Sequence, residues 1–117
     1  MLRSLLTLTI LAATPLRADP PMIEGATAER SGMGWRFEVT VRHADEGWGH
    51  YVDGWAILDE TGKKIAYRKL HHPHVNEQPF TRSLPSVMVP DGTRKIYIQA
   101  FCSTGGKSEK FKVKLKP

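Results

Sequence analysis

With a single cysteine, Cys102, the chain can close no internal disulfide. Small exported folds often rely on such staples, so this one has to hold by packing or by a metal. Nor does any apolar run reach the roughly 20 residues that a bilayer-spanning helix needs, which argues against a stable membrane anchor. Helical periodicity is missing throughout. Motifs for covalent or phosphate chemistry are missing too: no Gly-x-Ser-x-Gly elbow, no Gly-rich loop leading into a helix and no paired carboxylates. No catalytic residue is assigned on that reading, and an enzyme is not expected.

The chain starts with Met1-Leu2-Arg3-Ser4, continues through the apolar segment 5–13, and reaches Ala18 ahead of Asp19-Pro20-Pro21. A charged start, a short apolar stretch and a small residue at a cleavage point make up a secretory signal. The expected division is a signal peptide over residues 1–18 and a single domain over residues 19–117, periplasmic or secreted. Removing the signal takes Arg3 and Arg17 with it and lowers the formal charge from the +5 of the whole chain. The mild positive charge that remains is not that of a nucleic-acid binder.

Period-two alternation dominates the rest. Trp35, Phe37, Val39 and Val41 share one face of a segment whose other face carries Arg36, Glu38, Thr40 and Arg42. Such a pattern is a half-buried strand. Strands are likewise expected over 22–29, 51–58, 64–70, 94–102 and 109–116, with two short pieces over 80–84 and 87–89 separated by Pro85. Asp59-Glu60-Thr61-Gly62-Lys63 reads as a hairpin turn. Trp55, Ile57, Ile96, Ile98, Ala100 and Phe111 are the other expected core positions. Lysines alternate with apolar residues along 110–116 and keep a terminal strand soluble and unpaired. About seven short antiparallel strands in about 100 residues without a helix point to an all-β, immunoglobulin-like (fibronectin-type) sandwich.

The stretch Gly49-His50-Tyr51-Val52-Asp53-Gly54-Trp55, followed by residues 72–84 (HPHVNEQPFTRSL), resembles a family of small secreted bacterial proteins that is largely uncharacterised. The resemblance covers most of residues 34–103. It implies export and a β-sandwich, and it brings no activity and no site residues with it.

Histidine is where chemistry concentrates. His71, His72 and His74 fall within four residues, with Glu77 just beyond. In an extended segment, residues i and i+2 project to the same side, so His72 and His74 could meet one ion. Imidazole suits copper and zinc. His50 is the preferred third ligand, and His43, Glu77 and Cys102 are the alternatives. Cys102 itself continues the Ile96-Ile98-Ala100 face, which makes it a small core residue; a ligand role and a Cys102-linked dimer are the other readings. Trp48 and Tyr51 flank Gly49-His50 in a loop and, with His71 and Glu77, could present a binding surface to an extracytoplasmic protein or small ligand. The leading expectation is therefore an exported, non-enzymatic binding module. A periplasmic copper or zinc binder comes second, and a small metal-dependent enzyme third.

Overall fold

The structure is a computed structural model that describes residues 4–9 and 20–116. Most of the expected signal peptide and the cleavage point after Ala18 lie outside the described residues.

Seven strands form in chain order: β1 (Met22–Ser31), β2 (Gly34–Arg42), β3 (Val52–Leu58), β4 (Lys64–Lys69), β5 (Phe80–Val87), β6 (Lys95–Cys102) and β7 (Phe111–Lys114). They assemble into two antiparallel sheets, one ordered β1-β2-β5 and the other β4-β3-β6-β7. No helix occurs among the described residues. This is the seven-stranded, two-sheet all-β architecture that the alternation implies.

Between the sheets, Phe37, Val39 and Val41 of β2 and Phe80 of β5 meet Trp55 and Ile57 of β3, Ile96, Ile98 and Ala100 of β6 and Val113 of β7. The β2 stripe is buried on every second residue, as its period demands. β1 sits at a sheet edge and buries little beyond Ile23, which is why its alternation is faint in the sequence. The Asp59 turn closes as expected: Asp59 Oδ1 accepts from the Thr61 and Lys63 amides, and Gly62 takes a positive φ of 86°.

Pro85 departs from expectation. One strand runs from Phe80 through Pro85 and ends at Val87, so Met88 and Val89 of the second anticipated piece lie outside it, and the register shift against Trp35 and Phe37 absorbs the irregularity. Leu84 opposes Phe37 and Val87 opposes Trp35, so Pro85 and Ser86 together face Arg36. A bulge of this kind places a residue that lacks an N–H where the ladder needs none. Ser86 takes the left-handed conformation there, φ 58°.

Trp55 is fully buried, and its indole Nε1 has no hydrogen-bond partner among the described residues. Trp55→Ala is expected to cost about 3–5 kcal/mol as a large cavity in the core. Trp55→Phe, which also removes the unpartnered N–H, should cost well under half of that in a urea titration. Equal losses for the two variants would contradict this account of the site.

Candidate metal centre

The strand registers bring several chemistry-bearing segments to one end of the sandwich. Val41 pairs with Phe80, Gly54 with Lys69 and Val52 with Cys102. The exit of β2, the loop 43–51, the crossing 70–79 and the last residue of β6 therefore converge. A second level of ties locks them together. The Leu70 amide donates to the Asp53 carbonyl, and Ser103 and Tyr51 exchange hydrogen bonds across the β6 end.

His43 follows β2 directly and is buried, as is Asp45 two residues on. The two side chains lie on one side of an extended segment, with His43 Nδ1 2.6 Å from Asp45 Oδ1. The same oxygen accepts from the Val52 amide at 3.1 Å, and Asp45 Oδ2 accepts from the His74 amide at 2.8 Å. An acceptor so placed assigns the ring proton of His43 to Nδ1. Gln78 adds a further tie, since its Oε1 accepts from the His43 amide and its Nε2 donates to the His74 carbonyl.

His50 reaches the same place from the far side of the loop. The Glu46 amide donates to the His50 carbonyl, and the His50 amide donates to the Gly47 carbonyl. This tight return depends on Gly47 at φ 133°, a conformation that residues with a Cβ rarely adopt. The His50 ring meets the His43 ring edge-on, with centroids 4.9 Å apart. Its Nδ1 lies 3.5 Å from the exposed Glu46 carboxyl, while its Nε2 is buried with no hydrogen-bond partner among the described residues.

Cys102 completes the group. Its thiol is buried and unbridged, and Sγ lies 3.2 Å from Thr104 Oγ1. One ligand atom each from His43, His50 and Cys102 lies within 4.8 Å of the other two. Copper and zinc are the ions that suit both thiolate and imidazole. Bound zinc sits about 2.0–2.3 Å from such donors, so a separation of up to 4.8 Å is near what one ion spans. The carboxyl behind His43 is the usual outer partner of a metal-ligating imidazole.

The other expected donors are placed differently. The His72 and His74 rings are neighbours, with centroids 4.5 Å apart. His74 is buried and stacked on Phe80 at 3.9 Å and 9°. Its Nε2 accepts from Arg82 Nη2 at 2.8 Å, so a guanidinium holds that nitrogen, while Nδ1 is buried with no hydrogen-bond partner among the described residues. His72 Nδ1 donates to the Pro73 carbonyl. Of the expected trio His72, His74 and His50, only His50 belongs to the converging group. Glu77 is exposed, 3.6 Å from Arg82, and His71 is exposed as well. Trp48 is 69% exposed and touches Tyr51 edge-on. The signal in the sequence that could have found Asp45 is the His43-x-Asp45 spacing at a strand end.

Burial holds the His74 imidazole below the ordinary value of 6.5, and the Arg82 charge and His72 push the same way, against weaker pulls from Glu77 and Asp45. In the window between the lowered folded value and 6.5, the unfolded chain binds more protons than the folded one. Stability from this group is therefore complete above about pH 6.5 and falls as the pH drops through the folded value. The urea midpoint should decline from neutral pH toward about pH 5. A His74→Phe variant, which keeps the stack without titrating, should show a shallower decline. An unchanged slope would assign the effect to other groups.

No family model matches the chain. It is similar to a protein of Halomicrobium mukohataei named "Putative lipoprotein", at 35% identity over 75 residues, which make up 64% of this chain and 36% of that protein. The chain thus matches about a third of its relative's length.

Proposed function

We propose that this protein is an extracytoplasmic domain that binds one transition-metal ion, copper or zinc, through His43, His50 and Cys102. The observation that carries the reading is the buried, unpartnered Nε2 of His50 beside a buried imidazole and a buried thiol. A buried polar nitrogen without a partner costs free energy, and a coordinated ion would remove that cost. The orientation of His43 by Asp45 supports the same reading. Export is supported by the signal-like start of the sequence and by the name of the relative.

The reading replaces a surface-binding role as the leading one because the convergent donors are interior, whereas Trp48 stands alone as a large exposed aromatic on that loop. Calorimetric titration of the reduced protein with zinc, and with monovalent copper under anaerobic conditions, tests it. A single ion should bind. His50→Ala and Cys102→Ser should each weaken binding beyond the roughly 10- to 100-fold cost of losing an outer partner. His72→Ala and Trp48→Ala should bind as the wild type does. Loss of the ion in His72→Ala, with His50→Ala and Cys102→Ser unaffected, would move the site to the crossing and end this reading.

A further inference from the structure

Charge is sorted between the two sheets. All nine lysines follow residue 62, and none lies on β1, β2 or β5. The three-stranded sheet carries four arginines instead, and three of them are matched: Arg36 pairs with Glu38, Arg42 with Glu24 and Arg82 with Glu77, while Arg30 lies over the Trp35 ring. Among the described residues, the one lysine within 4.0 Å of a carboxylate is Lys95, with Glu60 at 3.8 Å. Arg94, Lys95, Lys112, Lys114 and Lys116 line one open depression at the β6-β7 edge of the four-stranded sheet, opposed only by Glu60.

Solubility and edge protection explain part of this pattern, since β7 is an edge strand. They do not explain Lys95. It lies on β6, between β3 and β7, and pairs directly with Lys114. Like charges opposed across a ladder destabilise it. Lys112 likewise pairs with Tyr97, so a half-buried aromatic sits among the ammonium groups. Residues two apart on a strand are about 7 Å from each other. That is less than the screening length of about 8 Å at physiological ionic strength, so these charges act together.

We propose that this lysine face docks the protein on an anionic phospholipid surface. A broad, flat array of flexible ammonium groups suits many diffuse phosphates, where a single anion would call for a fixed arginine fork. Lysine stems lie along apolar surface with their heads in water, and tyrosine favours the headgroup level. The face lies toward the Lys95 end of β6, away from Cys102, so docking leaves the proposed metal centre uncovered and does not depend on it.

Co-sedimentation of the full chain with vesicles tests the proposal. Binding to phosphatidylcholine vesicles containing phosphatidylglycerol should exceed binding to phosphatidylcholine alone and should fall as salt is raised. Each lysine near an anionic surface is worth about a fivefold change in partitioning, so Lys112→Gln/Lys114→Gln should bind roughly 25-fold more weakly. Arg36→Gln, on the other sheet, should bind as wild type. The exposed Leu5, Leu6 and Leu8 are common to all three proteins, so differences among them read the face alone. Equal binding by the double variant, equal binding to both vesicle types, or tighter binding to soluble polyglutamate than to the anionic vesicles would each overturn the proposal.

Discussion

Asp45→Ala is expected to lower the unfolding free energy by about 3–5 kcal/mol, because three buried donors lose their acceptor together. The carboxyl serves three buried donors that come from three segments: the His43 ring, the Val52 amide at the start of β3 and the His74 amide in the crossing. Deleting it strands all three at once, and each stranded donor costs about 1–3 kcal/mol. Against a total stability of about 5–15 kcal/mol, that is a large fraction. Asp45→Asn should cost less, because one amide oxygen still accepts while its NH2 faces donors. Urea unfolding followed by tryptophan fluorescence measures both. A change in Asp45→Ala within about 0.5 kcal/mol of wild type, the range of an ordinary surface substitution, would show that these contacts do not tie the loops together.

The two halves of the problem were unequally legible for a physical reason. Strands announce themselves locally. The Trp35 to Val41 stripe, the Ile96 to Cys102 stripe and the Asp59 to Lys63 turn are each set by neighbours within a few residues, and each forms as the pattern implies. Pro85 misled because a proline reads as a break, while a bulge opposite Arg36 lets β5 run through it. The metal centre is different in kind. His43 and Cys102 are 59 positions apart, and it takes the pairing of Val52 with Cys102 and the Tyr51–Ser103 hydrogen bonds to bring the end of β6 to the loop after β2. Local spacing instead drew attention to His72 and His74, which are two residues apart in sequence and neighbours in space. What spacing could not register is Arg82, eight residues beyond His74, whose guanidinium takes His74 Nε2. Donor type was readable, and competition for the donor was not.

Metal loading should raise thermal stability, and by an amount that identifies the ligands. An ion that binds only the folded chain stabilises it by about 2.7 kcal/mol at a free concentration of 100 times Kd. For a domain near 100 residues each kcal/mol moves Tm by roughly 4–8 °C, so zinc or monovalent copper should lift Tm by about 10–20 °C. The shift should disappear in Cys102→Ser and in His50→Ala, and shrink in Asp45→Asn. It should survive in His72→Ala. Direction with pH follows from the donors: thiol and imidazole must give up protons to coordinate, so acidification weakens binding. The metal-induced shift should therefore be larger at neutral pH than near pH 5. This dependence runs on top of the metal-free decline expected from His74, and the two are separable because His74→Phe flattens the second and leaves the first. A metal-induced rise that persisted in Cys102→Ser and His50→Ala alike would mean that the ion binds elsewhere on the folded chain, and the buried His50 nitrogen would need another explanation.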